Sequence, residues 1–451
     1  MKFSRFLFMA GAALVFANTA IASNTVDEAN RLKSELTPFG AERAGNTDGT
    51  IPKWEGGYTT VDRNYRPNGK RSDPFAAEKP ILSITANNYK EHANRLIEGQ
   101  QAMFAKYPDY RIDVYPTHRT AAAPQWVYDN TYRNAQEAKV LKEGAAVQGA
   151  YGGVPFPIPA NGNEAMWNHM LRWQGEAYTS EFSAYNGTST GRTSLTSTNT
   201  AYYQFPYYIK DGRDTFNGIY RKIKLLPTAP PLQAGQSILG FDPLDPLANG
   251  RPTWQYLTGQ RRTRKLPNAA YDTPSFVTSG QMNYDEVYIF EGPMNRYSWK
   301  LIGKQELYVP YNNNKNLQPT KDSDVLGANF LNPDYVRWEL HRVWVVEAEL
   351  IPGNRHVMPK RKFYLDEDTW QAVLADNWDA KGKLWKTAYM LNIVAPELPG
   401  VVNSSFGVYD LQTGNWFANN VFNSYEDQIT FHKPWPDSFF SPDSLASEGV
   451  R

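Results

Sequence analysis

The chain has no cysteine, only six histidines in 451 residues and almost no net charge, with 47 Lys and Arg against 46 Asp and Glu. Each shortage closes off a class of function. Without cysteine there is neither a disulfide scaffold nor thiol chemistry. The histidines (His92, His118, His169, His341, His356 and His432) are scattered, and no pair has the spacing of a zinc site. A near-neutral chain with one short basic stripe does not resemble a nucleic-acid protein. No repeat of roughly 20–50 residues recurs, which argues against a propeller or solenoid. The N-terminal apolar run, Phe6 to Phe16, spans 11 residues. A membrane-spanning helix needs roughly 20.

That run instead reads as part of a secretory signal. Lys2 and Arg5 make a basic start, and Ala20-Ile21-Ala22 is a small-x-small cleavage site. The expectation is a signal peptide over 1–22 and a protein exported to the periplasm. With no cysteine after the signal it is not a lipoprotein, and it carries no transmembrane segment after cleavage. Without Lys2 and Arg5, 45 basic residues face 46 acidic ones.

Aromatics make up 14% of the chain, with 28 Tyr and 13 Trp, alongside 32 Gly and 31 Pro. An aromatic-rich, turn-rich exported chain points to β-structure. Helices are expected in the first third: residues 24–35, a long one from a Thr85 cap to just before Pro108, one over 130–144, and one over 163–175. Beyond about residue 176 the apolar period becomes two. Trp299, Leu301, Leu307 and Val309 fall on one face of a strand, and Trp370, Ala372, Leu374 and Trp378 on one face of another. "TWQYL-TG-QRRTRKL" is a hairpin around Thr258-Gly259. The expected fold is mainly β (α+β): one large antiparallel sheet, curled or half-closed, with N-terminal helices plugging or covering its concave face. It forms a single domain over 23–451, helix-rich to about 175, sheet from about 176 to 436, then a tail over 437–451.

Several stretches imitate chemistry. The glycine-rich Leu36–Gly57 lacks the Gly-Lys-Ser/Thr of a P-loop and the preceding strand of a dinucleotide fingerprint. Aligned to a calcium loop it puts Ala44 at the first ligand position and the stiff Pro52 where the chain should wrap. The remaining reading is a turn-rich strap across the sheet, turning at Asp48-Gly49 and anchored by Trp54. "GTSTG" (187–191) matches a nucleophile elbow, but its polar, Asn-Gly-containing surroundings read as a hairpin tip. His169 sits in "WNHMLRW", where Trp167, His169 and Arg172 either face a cavity or are satisfied within the helix. The carboxylate pairs Asp242/Asp245 and Glu347/Glu349, and the run Asp366–Asp368, raise a glycosidase, which needs two carboxylates facing across a cleft. Asp366-Glu367-Asp368 reads as a solvated turn. Arg261, Arg262, Arg264 and Lys265 read as a solvated strand surface or a landing site for lipid headgroups or an acidic partner.

The strap, "GGVPFPIPANGNEAMWNHMLRWQG", "TWQYLTGQRRTRKLPNAAYDTP", "RYSWKLIGKQELYVPYN" and the stretch from "HRVWVVEAELIPG" to "KGKLWK", in that order, resemble domain-of-unknown-function family 1329. Those proteins are described as similar to outer-membrane lipoprotein-sorting proteins, the Lol-type carriers. The resemblance spans about residues 34–436. It implies a periplasmic protein with a Lol-like unclosed β-barrel whose mouth is plugged by helices. It also implies partnership with a resistance-nodulation-division-type permease and an outer-membrane protein, and it supplies no catalytic residues, metal or cofactor. An aromatic-lined concave face suits a lipid or other hydrophobic cargo. The expected lining is Trp254, Tyr256, Trp344, Trp370, Leu374 and Trp378, with Trp167 from the plug. The expected function is a carrier and not an enzyme. A hydrolase using carboxylates in the same cleft and a structural envelope protein are the alternatives.

Overall fold

The computed structural model describes residues 25–67, 69–266, 271–275, 278–426 and 428–448. The signal peptide expected over 1–22 lies outside them. Among the described residues no helix is long and apolar enough to cross a membrane.

Among the described residues eighteen strands form. The first four are β1 (Leu82–Thr85), β2 (Arg111–Val114), β3 (Lys139–Leu141) and β4 (Ala146–Gln148). Then come β5 (Ala177–Gly187), β6 (Thr193–Gln204), β7 (Ile219–Ala229), β8 (Ile238–Pro243), β9 (Thr253–Leu257), β10 (Arg262–Leu266) and β11 (Tyr297–Pro310). The last are β12 (Trp338–Leu350), β13 (Lys360–Asp366), β14 (Ala372–Trp378), β15 (Leu384–Ala395), β16 (Gly400–Asp410), β17 (Trp416–Val421) and β18 (Ile429–Phe431). The helices are α1 (Val26–Asn30), α2 (Glu98–Lys106), α3 (Gln125–Glu137), α4 (Gly162–Met170), α5 (Pro246–Asn249), α6 (Asp322–Val325) and α7 (Pro442–Glu448).

All strands except β3 and β4 join one sheet, ordered β1-β2-β12-β13-β14-β15-β16-β17-β5-β6-β7-β8-β9-β10, with β11 also on β12 and β18 also on β5. The pairs are antiparallel apart from a single parallel pairing of β2 with β12, Val114 opposite Trp338. The sheet does not close, because β1 and β10 stand at opposite ends of that order. It curls instead, and one apolar cluster holds residues from distant strands, such as Ile238 of β8 and Trp299 of β11. What they wrap around is α4 and the segment 282–294. Phe290 of that segment meets Trp299 at 5.0 Å and Phe363 at 5.7 Å between ring centroids.

The helices differ from the sequence reading in detail. The expected helix over 85–108 is broken: Thr85 ends β1, residues 89–95 form a 3-10 turn, and α2 starts only after an extended Leu96. The α2 start is capped by Gln100, whose Oε1 accepts from the Ile97 N–H at 2.9 Å. The helix placed at 130–144 is α3, which begins at Gln125 and stops at Glu137, and residues 139–141 then pair with 146–148 as a hairpin. Among the N-terminal helices α4 enters the concave side. In contrast α2 packs on the convex side, where Met103 and Phe104 join Leu374, Tyr389 and Leu391.

Two bulges redirect side chains that strict alternation would align. Register slips between Leu301 and Gly303, leaving Ile302 extra. Trp299 therefore faces the concave cluster and Leu307 and Val309 the convex one. A second slip, where Tyr364 meets Leu374 and Leu365 meets Ala372, makes Val373 extra. Ala372 then points inward, whereas Leu374 and Trp378 point outward. Because alternation has period two, one inserted residue exchanges the faces.

Candidate functional site

The concave cavity is built by β5–β9. "RKIKL" in β7 alternates strictly: Lys222 and Lys224 turn to the convex side, where Lys224 Nζ lies 3.5 Å from the Phe439 ring centroid. Arg221, Ile223 and Leu225 turn inward. With Phe182 of β5, Tyr203 of β6 and Ile238 of β8 they wall an apolar cavity of about 110 Å³. Its roof is Tyr288, held in the left-handed region at φ 49° and followed by Ile289 at φ 74°. The Tyr203 and Tyr288 hydroxyls are 2.7 Å apart, and the Tyr288 and Phe406 rings meet at 4.7 Å.

One polar group of the wall is already engaged. Arg221 pairs with Asp242 at 2.7 Å and with Glu291, and Arg251 reaches the same Asp242 at 2.6 Å. Burial alone would push the Asp242 carboxyl up, but the two guanidiniums outweigh it and hold it down. For Glu291 burial wins over Arg221, and its carboxyl is raised. Asp245 does not face Asp242 across a cleft; it caps α5 through the Ala248 N–H at 3.0 Å and pairs with Lys142. Glu347 pairs with Lys360 at 3.0 Å, and Glu349 is exposed. The two-carboxylate arrangement of a glycosidase is therefore not formed by these pairs.

None of the seven residues expected to line a hydrophobic cavity borders this one, although Trp167 and Trp370 belong to the concave cluster and Trp344 packs against it. Trp344 and Trp370 are brought together, stacked at 6.2 Å and 10°, but they sit beneath the strap, with Trp370 Nε1 donating to the Phe39 carbonyl at 2.7 Å. Leu374 and Trp378 lie on the other face after the Val373 bulge, and Leu374 borders a void of about 30 Å³ beneath α2. Trp254 and Tyr256 pack on the convex side with Phe439, Phe440 and Leu445, so residues 439–446 form a packed cover there. Trp167 is buried in α4, donating to the Gly144 carbonyl at 2.9 Å. Its neighbour His169 is satisfied: Nδ1 accepts from the Ala372 N–H at 2.9 Å and Nε2 meets the Tyr288 carbonyl at 3.0 Å. Burial, helped by Arg172, keeps that imidazole neutral. The true lining residues had a signal in the β7 alternation. Tyr288 had none, because its segment is aperiodic.

A second polar cluster lies under the strap. Asp366, Glu367 and Asp368 are 0–2% exposed, which corrects the solvated-turn reading. Arg119, from far upstream, grips Asp368 with Nε at 2.9 Å and Nη2 at 2.6 Å. Its leftover donors reach strap carbonyls, Glu42 at 2.7 Å and Arg43 at 3.3 Å. Arg342 binds Glu367 at 3.0 Å and the Ala44 carbonyl at 3.1 Å. The strap turns at Gly49, φ 75°, and Trp54 Nε1 donates to the Ala121 carbonyl at 2.9 Å. The glycine-rich stretch is thus fastened as architecture.

His341, Asp366 and Asp368 each offer a ligand atom within 4.8 Å of the others. These groups are already engaged with one another and with Arg119. His341 lies 3.1 Å from Glu339 and 3.2 Å from Asp366. Burial opposes its charge, but the carboxylates outweigh burial and raise it to about 9, so both ring nitrogens carry protons at neutral pH. Asp368 is already neutralised by Arg119. The remaining decoys are turns: 188–192 is the tip between β5 and β6, closed by Thr188 N–H to the Arg192 carbonyl at 2.9 Å. Arg261 caps the β9–β10 hairpin in the left-handed region, and Arg262 and Arg264 are exposed.

The molecule is therefore an unclosed, curled antiparallel half-barrel whose interior is plugged by α4 and the segment 282–294. The chain belongs to domain-of-unknown-function family 1329: the family model "Protein of unknown function (DUF1329)" matches residues 83–446. It is 36% identical over 462 residues to an uncharacterized protein of Pseudomonas aeruginosa, covering all of both chains. Among solved structures it is similar to a putative outer membrane lipoprotein-sorting protein domain from Vibrio parahaemolyticus (13% identity, TM-score 0.43, 63% of this chain and 97% of that one). A DUF1329 family protein from Desulfovibrio piger gives 12% identity and TM-score 0.41, over 62% of this chain and 95% of that one. A LolA superfamily protein from Nitrosomonas europaea gives 13% and 0.38, over 63% and 100%.

Proposed function

We propose that the protein is a periplasmic carrier of a hydrophobic molecule, which it holds between the β5–β9 wall and the Tyr288 roof. The observation that supports this most directly is the apolar cavity itself, walled by Phe182, Ile223, Leu225 and Ile238. An apolar void of about 150 Å³ holds a benzene-sized group, so this one takes a ring or a chain end while the rest of the cargo lies along the concave face. Its guanidiniums and carboxylates are paired with each other, so the reading includes no chemical step. Handing cargo between an inner-membrane permease and an outer-membrane protein would complete the role.

Native mass spectrometry of protein purified from its own host should reveal a bound apolar molecule. Ile238→Trp should fill the void, weakening binding of a neutral fluorescent probe such as N-phenylnaphthylamine at least about tenfold. Overpacking costs roughly 1–3 kcal/mol of stability, so the variant should remain folded. Neither bound molecule nor probe binding by the unaltered protein would end the carrier reading.

A further inference from the structure

Pairing register extends the cavity wall sideways into a graded surface. Leu225 of β7 faces Ile238 of β8, Ile238 faces Gln255 of β9, and Gln255 faces Arg264 of β10. Directly paired residues put their side chains on one face, so these four form a single row across the concave side. The row runs from buried Leu225 and Ile238 through half-buried Gln255 to exposed Arg264. Neighbouring strands are about 4.8 Å apart, so the row spans roughly 14 Å from aliphatic wall to guanidinium.

The flanking rows keep the gradient. Ile223, Gly240 and Thr253 border the cavity in the row on one side. On the other, Arg262 stands opposite Leu257. Arg262 and Arg264 are two residues apart on one strand and therefore share this face. Among the described residues neither has an ion-pair partner. In this they differ from Arg221, which is fully committed to Asp242 and Glu291. Edge-strand arginines pointing along a cavity face, and not away from it, are what an anionic head group would meet once its tail had entered between Ile238 and Tyr288.

Resting on the carrier reading, we infer that the cargo is a single-chain anionic amphiphile. Its apolar end occupies the Ile223–Leu225–Ile238 wall, and its carboxylate, sulfate or phosphate head lies on Arg264 and Arg262. The guanidinium fork suits such oxyanions, which accept two N–H bonds side by side.

The test displaces N-phenylnaphthylamine with dodecanoate and with the neutral monododecanoyl glycerol, using the unaltered protein and Arg262→Ser/Arg264→Ser. The expected result is that dodecanoate competes better, that the double variant weakens it about five- to tenfold, and that the neutral ligand is unaffected. The dodecanoate advantage should also shrink in high salt, since the rim is solvent-exposed. Probe binding with equal affinity for both amphiphiles, or a double variant without effect on dodecanoate, overturns the inference and leaves the carrier reading intact. Absence of probe binding overturns both. If the double variant loses binding to anionic phospholipid vesicles but keeps its dodecanoate affinity, the arginines serve a membrane surface and the inference fails.

Discussion

Two buried charged regions of this molecule use the same chemistry to opposite ends. Under the strap, Arg119 and Arg342 first neutralise Asp368 and Glu367 and then spend their remaining N–H groups on the carbonyls of Glu42, Arg43 and Ala44. At the cavity wall, Arg221 and Arg251 neutralise Asp242 and Glu291, with the apolar side chains of Ile223 and Ile238 beside them. The first region is a clasp and closes its space; the second is a rigid wall that leaves space open. What separates them is where the guanidinium N–H groups go. Arg119 and Arg342 also reach strap carbonyls, whereas Arg221 gives Nε, Nη1 and Nη2 to Asp242 and Glu291. Burial of charge by itself does not decide the role.

The largest effect that can break this comparison is loss of the clasp. Arg119→Ala leaves Asp368 buried without its cation, which costs about 3–5 kcal/mol. Arg251→Ala should cost much less, because Asp242 keeps Arg221. Urea denaturation of both variants measures the difference, and equal losses would show that the two regions are energetically alike.

A buried carboxyl with no ion pair among the described residues, although Lys362 stands opposite it on β13, sharpens the contrast next. Burial raises Asp376 from 3.8 to about 7, against the opposing Gly99 N–H, which donates to it at the start of α2. The folded state therefore keeps a proton that the unfolded chain has released, and stability should fall as pH rises from about 4 to about 7. The loss is on the order of 4 kcal/mol. Asp376→Asn should abolish that slope and be the more stable form at pH 8, as thermal melts across this range would reveal. An unchanged slope would refute the assignment.

His341 should give the smallest of the three effects, and in a different window. Because its imidazole is raised from 6.5 to about 9, its contribution is complete below pH 6.5 and disappears as pH rises through 9. The change is on the order of 3 kcal/mol. Comparing His341→Gln with the unaltered protein between pH 6 and 10 isolates it, and parallel curves would mean that the ring is not charged in the fold.

The hairpin turns at 188–192 and 258–261 and the strap's Asp48-Gly49 turn were legible because each depends on neighbours in sequence. The Val373 and Ile302 bulges were not, since one extra residue leaves the apolar pattern looking regular while exchanging its faces. That is why Trp370 and Leu374, aligned by count, sit on opposite sides. Asp366-Glu367-Asp368 looked solvated because Arg119, which buries Asp368, lies 249 residues away. The plug around Tyr288 carries no period at all, so the cavity's roof, and with it the cavity, was out of reach. The family resemblance, carried by long stretches and not by single residues, located the architecture without locating the site.

The missing closure of the sheet has a mechanical consequence. A closed barrel has its girth fixed by strand number and stagger, and widening it would mean tearing a ladder of hydrogen bonds. Here β10 at one end and β1 and β11 at the other are separate margins, so the half-cylinder can flatten or tighten by small changes of twist spread over many strands while every ladder stays intact. Girth becomes an elastic variable, limited by how far contacts such as the Tyr203–Tyr288 hydroxyl pair at 2.7 Å can stretch before the roof parts from the wall.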